Sequence, residues 1–393
     1  MNDRTREYLR GRFGDHYRRV SLTPPPAYEA REWGYIPFTA GSGTTMVRHN
    51  SHMDLGDLDT FLARERPRHV YFSAGRYADP GARSMGEKGW RESDLVFDLD
   101  ADHLPGVDPE TDAYGEMLAT CKDALEKLLS FLEDDFGFED LTVVFSGGRG
   151  YHVHVRDEGV RRLDRDHRRE VVDYVRGLGL EHVDDLARTE TVSGIGVKNP
   201  VEKRTLRTDG GWGRRVHARL VALADEVRAL DEVAGVARLR EFDGIGEKGA
   251  TTLYTAMTEN YDELVAGNLE AAGQYSRTLA DRLLARAVEA ENAPIDEPVT
   301  TDINRLIRLP GSLHGGSGLR VTRIDRDALP DFDPLVDAVP ETFRNHDITV
   351  EVDEPQSVRL DGETHKIADG KRTVRECVGV LLMARGDAEK AAE

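Results

Sequence analysis

Two aspartates stand two residues apart in the segment Phe97-Asp98-Leu99-Asp100. Because side chains alternate between the two faces of a strand, a strand here would place Asp98 and Asp100 on the same face. Neighbouring carboxylates repel each other, and Mg²⁺ is commonly held by one or two carboxylates together with substrate phosphates. The spacing therefore predicts a divalent-metal site. A strand that ends in a solvated acidic turn, with Asp102 following, is the open alternative.

A glycine-rich segment farther along the chain carries polar side chains that suit a phosphate. It reads Ser146-Gly147-Gly148-Arg149-Gly150-Tyr151-His152. The glycines let the backbone approach a ligand and present N–H groups to an anion. Arg149 offers a guanidinium fork, Ser146 a hydroxyl, and His152 can face the same ligand from the next strand. The segment predicts a phosphate-binding loop, with an ordinary hairpin loop and a surface arginine as the alternative.

The third group lies between residues 296 and 315, where carboxylates, arginines, a Pro-Gly turn and a histidine occur close together. Its candidate site residues are Asp296, Asp302, Arg308 and His314. The alternative is a helix over residues 304–309 that carries surface arginines.

Strand patterns surround each of these groups and would position their side chains. Residues 1–20 and 112–135 carry helical spacing, and residues 161–290 are charged, rich in Ala, Leu and Arg, and lack strand character. A short glycine loop between two strands predicts a hairpin at 141–155. The predicted strands are within 32–50 and at 68–74, 94–100, 141–145, 151–155, 295–301, 320–324 and 348–352.

This arrangement predicts an α+β fold, a mixed α/β core interrupted by a helical insert. We expect the core to consist of residues 1–160 and 291–355, with a helical subdomain at 161–290. A C-terminal segment, 356–393, is expected to complete it with a helix around Leu381-Leu382-Met383.

The composition bears on which partners and which cellular compartment the protein can have. Its formal net charge is -20, which by itself disfavours nucleic acid. However, only nine of the 53 basic residues are lysines, and arginine is the better bidentate phosphate ligand. Excess acid with scarce lysine also indicates adaptation to high salt. The two cysteines, the absence of a long apolar run and the charged N-terminus lead us to expect a cytoplasmic protein without a membrane span.

Taken together and in this order, the three groups resemble the small, catalytic subunit of the archaeal and eukaryotic type of DNA primase. The resemblance covers most of the chain and is strongest at 94–103, 146–155 and 296–319. It implies a primase-type core that carries out template-directed synthesis of short RNA, and possibly DNA, primers for DNA replication. It also implies two-metal-ion nucleotidyl transfer with Mg²⁺ or Mn²⁺.

The resemblance also implies roles for individual residues. Asp98 and Asp100 match the metal-binding pair of the family. Asp296 matches the third metal carboxylate, with Asp302 as the competing candidate. The residues that match the pocket for the incoming triphosphate are Ser146, Arg149, His152, Arg308 and His314.

The partners implied are a primase large subunit in a heterodimer, a single-stranded DNA template, NTPs or dNTPs, and a replication polymerase. A related primase-polymerase of repair or end joining, and a non-catalytic nucleic-acid-binding protein, are the alternatives. Many members of the family carry a zinc site between the first two motifs. Because residues 103–140 offer only His103 and Cys121 of the usual ligands, we expect no zinc here.

Overall fold

The structure is a computed structural model that describes residues 1–39, 45–109, 111–192 and 201–392. Part of the predicted strand region 32–50, residues 40–44, lies outside the described residues. The α-helices are α1 Asp3–Arg19, α2 His52–Leu55, α3 Leu58–Glu65, α4 Tyr114–Ser130, α5 Arg165–Arg176, α6 Gly211–Arg228, α7 Glu232–Leu239, α8 Glu247–Glu259, α9 Tyr261–Val265, α10 Gln274–Glu291, α11 Glu297–Thr301, α12 Pro334–Asp337 and α13 Glu376–Arg385.

The strands form small antiparallel sheets. They are β1 Arg31–Ile36, β2 Val47–Asn50, β3 His69–Tyr77, β4 Trp90–Ser93, β5 Leu95–Asp100, β6 Leu141–Phe145, β7 Gly150–Val155, β8 Ala187–Val192, β9 Val201–Leu206, β10 Leu306–Arg308, β11 Thr322–Ile324, β12 Asp347–Val352, β13 Gln356–Leu360, β14 Glu363–Ile367, β15 Gly370–Arg375 and β16 Ala388–Lys390. With these helices, they confirm the predicted α+β class.

Two sheets carry the candidate site residues. The first has the order β10-β3-β1-β2, with β4 also paired to β3, and the second has the order β11-β6-β7-β5. In the second sheet, Asp98 pairs with His152 across the β5–β7 ladder. Phe97 and Leu99 are fully buried on the opposite face, so the alternation along β5 points the two aspartates away from that apolar core.

The described chain divides into two compact units. The first contains both of these sheets and the C-terminal strands, and spans Met1–Leu125, Glu139–Glu170 and Pro294–Glu393. The second spans Glu126–Phe138 and Val171–Ala293. In the second unit, α6 packs against α8 and α10 around buried apolar side chains such as Trp212 and Leu253.

The expectation that 161–290 lacks strands was wrong, because β8 and β9 form an antiparallel hairpin there. Their sequences, ARTETV and VEKRTL, hold few apolar residues, so no hydrophobic alternation marks them as strands. In the C-terminal segment the helix around Leu382 is confirmed as α13, but strands β13 to β16 were not predicted.

The strand predicted at 295–301 was also wrong, because Glu297–Thr301 is the helix α11. β-Branched residues favoured a strand, but Pro298 in the first turn favours a helix start. The hydroxyls of Thr300 and Thr301 donate to the backbone carbonyls of Asp296 and Glu297, so both threonines are satisfied in the helix. The alternative helix at 304–309 is instead the strand β10.

Candidate active site

Asp98 lies near the end of β5 with its side chain held by one neighbour. Its Oδ1 is 3.4 Å from Nε2 of His152, whose side chain is almost fully buried. Burial opposes ionisation of Asp98, but His152, Arg305 and Arg308 outweigh it and lower the pKa of this carboxyl below its usual range. Asp98 is therefore a carboxylate at neutral pH.

Asp100, the last residue of β5, is more exposed, and 40% of its side-chain surface is accessible. Nε of Arg149 lies 4.0 Å from its Oδ1, at the limit of an ion pair. The guanidinium of Arg149 makes a closer ion pair with Asp102. The other carboxylate oxygen of Asp102 is buried without a hydrogen-bond partner. Two carboxylates, those of Asp100 and Asp102, thus share one arginine at this end of the strand.

Asp94 precedes β5 and has a different environment. Its carboxylate is completely buried and accepts hydrogen bonds from Arg31 at 2.8 Å, Arg76 at 3.0 Å and Arg156 at 3.0 Å. Arg168 donates to the Asp94 backbone carbonyl at 2.9 Å. These arginines come from β1, β3, the residue after β7 and α5, so Asp94 connects the two sheets that carry the site.

The glycine-rich segment between β6 and β7 is a hairpin loop whose shape depends on Ser146. The Ser146 hydroxyl oxygen accepts hydrogen bonds from the backbone N–H groups of Gly148 and Gly150, each at 3.3 Å. Those two N–H groups therefore point inward, so the expectation that the loop presents them to an anion does not hold for these two positions. A ligand would meet mainly the side chains of this loop.

Two of the loop glycines are required by close packing. A Cβ at Gly150 would overlap the carbonyl oxygen of Leu99. Gly147 has a φ of +76°, and a Cβ there would lie 2.7 Å from the Cβ of His314. The glycine pattern thus brings the loop against β5 and His314, which draws the first and third sequence groups together.

His314 is half-buried against the loop and lines the larger of two cavities at this site. Its Nδ1 is 3.1 Å from the hydroxyl of Ser317, which in turn donates to the Gly147 carbonyl. Burial, together with the nearby Arg308 and His69, lowers the pKa of His314 well below its usual range. His314 is therefore neutral, and it acts as a hydrogen-bonding group.

Arg308 is the last residue of β10 and pairs with Tyr71 of β3. Its Nε is buried without a hydrogen-bond partner, and its guanidinium carbon lies 5.8 Å from the centre of the Tyr71 ring. No carboxylate lies within ion-pair distance of Arg308 in the described part of the chain. It is thus a cation that remains available for a ligand.

Two cavities lie next to these residues, and Arg308 lines both. The first, of about 840 Å³, is bordered by Asp100 and by most of the predicted triphosphate residues, which are Ser146, Arg149, Arg308 and His314. The second, of about 340 Å³, is bordered by Asp98, His152 and Asp302. Each aspartate of β5 thus faces its own cavity.

Asp296 is joined to Asp98 by a backbone hydrogen bond. Its N–H donates to the Asp98 carbonyl at 3.1 Å, and its carboxylate is half-buried. Asp302 lines the smaller cavity, and its Oδ1 accepts the backbone N–H of Asn304 at 2.9 Å. Both candidates for the third carboxylate therefore lie close to Asp98.

Sequence reasoning assigned no role to several residues of these cavities. The smaller cavity is lined also by Arg48, Tyr71 and Arg305. The larger cavity is lined also by Tyr114, Arg359 and Arg385. These three residues lie outside the three sequence groups, so no motif marks them.

The charges at the end of β5 fit a divalent cation. Asp98 and Asp100 share one face, and the buried oxygen of Asp102 lacks a partner. Oxygen ligands of this kind suit Mg²⁺ and Mn²⁺. Among the described residues, no group of three His, Cys, Asp or Glu side chains is arranged closely enough to hold a metal by itself. Part of the coordination would therefore come from substrate phosphates and water.

Comparison with known proteins gives consistent matches. The family model described as DNA primase small subunit matches residues 97–326. The chain is 62% identical to a DNA primase small subunit PriS of Haloarcula marismortui over 394 residues. The alignment covers the full length of both chains. The chain is 60% identical over 393 residues to that of Halobacterium salinarum, again covering both chains completely. It is also 38% identical over 398 residues to that of Methanococcoides burtonii, covering 99% of each. The first two sources fit the predicted adaptation to salt.

No helix in the described parts of the chain is both long and apolar enough to cross a membrane.

Proposed function

The chain belongs to the family of DNA primase small subunits, and on that premise we propose that it is the catalytic subunit of a DNA primase. It is a nucleotidyltransferase that synthesises primers for DNA replication on a single-stranded DNA template. The observation that carries this proposal is the position of Asp98 and Asp100, which share one face of β5 and border cavities lined by arginines. Asp98 and Asp100 both fall inside the segment that the family model matches.

Asp98 and Asp100 are the residues that would hold the divalent ions. When bound, such ions lower the pKa of an attacking hydroxyl and neutralise the charge of a leaving pyrophosphate. His152 keeps the Asp98 carboxylate ionised and oriented through its 3.4 Å contact. Arg149 and Arg308 orient the triphosphate, since arginine binds phosphate oxygens as a fork.

Ser146 and His314 line the same pocket. Ser146 holds the loop in shape and retains its hydroxyl proton as a donor toward a phosphate oxygen. His314 is neutral, so one ring nitrogen faces Ser317 and the other can donate to the triphosphate without adding charge. Positioning of this kind suffices because phosphoryl transfer requires little covalent help from the protein.

Asp296 is our choice for the third metal carboxylate, and its backbone hydrogen bond to Asp98 supports that choice. One carboxylate oxygen of Asp302 already accepts a hydrogen bond from the backbone N–H of Asn304. We therefore expect Asp296→Asn to reduce incorporation about 100-fold or more and Asp302→Asn to reduce it about tenfold or less. Steady-state incorporation on a primed template measures both variants, and the reverse order would transfer the role to Asp302.

We further propose Mg²⁺ or Mn²⁺ as the ion, no structural zinc, and a large subunit as partner in a heterodimer. The absence of zinc stays a prediction because it rests on the scarcity of ligands between His103 and Asp140. Elemental analysis of the purified chain measures it directly, and one equivalent of zinc that survives mild chelation would contradict it.

A priming assay tests the proposed function. Purified chain is incubated with labelled NTPs or dNTPs, Mg²⁺ or Mn²⁺, and a single-stranded template that is either unprimed or primed. We expect labelled oligonucleotides from the wild type and none from Asp98→Ala or Asp100→Ala. Product on primed templates alone would favour a repair-type polymerase, and no product on either template would favour a non-catalytic binding protein.

A further inference from the structure

Beyond the residues that the family resemblance assigns, the larger cavity has a wall formed by the C-terminal part of the chain. The residues of this wall come from β13, β14 and the end of α13, and they include Arg359 and Arg385. They lie beyond residue 326, where the match to the family model ends. The same cavity is bordered also by Asp100 and Arg149.

The two arginines of this wall differ in how their charges are used. Arg359 forms an ion pair with Asp333, so its charge is already compensated within the protein. Arg385 is exposed, and no carboxylate lies within ion-pair distance of it in the described ranges. Its guanidinium carbon instead lies 4.1 Å from the centre of the Tyr114 ring. Arg385 is therefore an uncompensated cation that faces the cavity.

Tyr114 connects Arg385 to the phosphate loop. Its hydroxyl donates to the Gly148 carbonyl at 2.5 Å, which fixes the ring against the middle of the loop. Burial raises the pKa of Tyr114, and Arg385, Arg149 and Asp100 are all close enough to affect it. The ring thus holds the Arg385 guanidinium beside the same space that Arg149 and Asp100 border.

We propose that Arg385, held by Tyr114, binds the terminal phosphate of the incoming triphosphate and the pyrophosphate that leaves. This inference rests on the proposed function, since it adds a subsite to the same reaction. A triphosphate carries several negative charges, and Arg149 is already shared with Asp102. Arg308 and Arg385 are the cations of this cavity that no carboxylate compensates within the described residues. They therefore complement the distal phosphates within the same cavity.

Binding measurements on variants test this subsite without turnover. Nucleoside di- and triphosphates are titrated, with Mn²⁺ present, into the chain bound to a primer that ends in a dideoxynucleotide. We expect Arg385→Gln to weaken triphosphate binding about 10- to 100-fold while diphosphate binding changes little. Inhibition of primer extension by inorganic pyrophosphate should weaken by a similar factor.

Two matched variants separate this role from general electrostatics and from packing. Arg359→Gln removes the same charge from the same wall, and because Asp333 already compensates it, we expect affinities close to those of the wild type. Arg385→Lys keeps the charge and should recover most of the triphosphate affinity. Thermal unfolding of each variant is measured first, and Arg385→Lys provides the decisive comparison if Arg385→Gln does not fold.

The outcomes distinguish this inference from the function on which it rests. If the wild type incorporates nucleotides but Arg385→Gln keeps the wild-type preference for triphosphate over diphosphate, the subsite is wrong and the function stands. Equal losses in Arg359→Gln and Arg385→Gln would also overturn the subsite, because they would indicate only the summed charge of the wall. If the wild type incorporates no nucleotides on any template, the proposed function itself fails.

Discussion

The two ends of β5 carry carboxylates in opposite situations. At the beginning, Asp94 is fully buried and accepts hydrogen bonds from three arginine side chains. At the end, Asp98 has a 3.4 Å contact with His152, and Asp100 accepts one backbone hydrogen bond from Asp102 at 3.2 Å and lies 4.0 Å from Arg149. Residues 94–100 thus hold one carboxylate that the protein compensates completely and two that it compensates only in part.

This difference agrees with a structural role for Asp94 and with the metal-binding role proposed for Asp98 and Asp100. A buried charge without partners is costly, so a structural carboxylate must be matched by cations of the protein itself. A metal-binding carboxylate must not be fully matched, because the incoming cation supplies the missing charge. The arginines around Asp94 hold both sheets, and they leave the far end of β5 in a fixed position but electrostatically incomplete.

The strongest test of this contrast removes the carboxylates of the incomplete end. Asp98→Ala and Asp100→Ala should each lower primer extension at least about 1000-fold, which corresponds to about 4 kcal/mol. The fold should survive, and Asp100→Ala should affect stability least because its side chain is the more exposed. Steady-state extension and urea unfolding measure the two effects, with the exposed Asp123→Ala as a control for loss of one charge. Activity above a tenth of wild type in both variants would remove these residues from the metal site.

The second test removes the compensated carboxylate. Asp94→Ala leaves three buried guanidinium groups without their shared partner, so the free energy of unfolding should fall by about 3–5 kcal/mol. Glu92→Ala is the matched control, because Glu92 pairs with Arg76 and Arg161 but is partly exposed. Chemical denaturation should show the smaller loss for Glu92→Ala. Equal losses would mean that Asp94 is not the centre of this network.

Much of this site could be predicted because its parts are local in the sequence. The pair Asp98 and Asp100 needs only strand alternation, and the hairpin around Arg149 needs only a glycine loop between two apolar strands. The cluster around Asp94 could not be predicted, because its arginines come from four distant segments. The sequence positions of Arg31 and Arg168 give no sign that these arginines contact Asp94.

The errors in secondary structure have similar causes. Val299 and the threonines after it favour a strand by intrinsic preference, but Pro298 and the packing of α11 on β5 select a helix. The hairpin of β8 and β9 carries mainly polar residues, so the hydrophobic period that reveals a half-buried strand is missing. No sequence pattern predicted the role that we propose for Arg385, because that role depends on a contact with Tyr114, far away in the chain.

A smaller effect is expected for Arg149, which we propose to bind the triphosphate beside the incomplete end of β5. Arg149→Ala should lower kcat/KM for the nucleotide by about 2–4 kcal/mol through lost charge-assisted contacts, with template affinity and its salt dependence unchanged. Asp102→Ala is the informative control, since it frees Arg149 from its ion pair without removing it. Incorporation titrations and template binding at several salt concentrations measure these changes. An Asp102→Ala variant as impaired as Arg149→Ala would mean that the ion pair, and not phosphate binding, is what matters.

The smallest expected effect is the most direct test of incomplete compensation, because it needs no substrate. Mn²⁺ at ten times its dissociation constant should raise the free energy of unfolding of the wild type by about 1.4 kcal/mol.

The variant Asp98→Asn/Asp100→Asn should lose this increase, whereas Asp94→Asn, though less stable, should keep it. Ionic strength is held constant with KCl, because an acidic surface with a net charge of -20 also attracts cations without specificity. An equal increase in the wild type and in the double variant would place the bound ions on that surface. The contrast between the two ends of β5 would then explain the stability of the fold but not the binding of a metal ion.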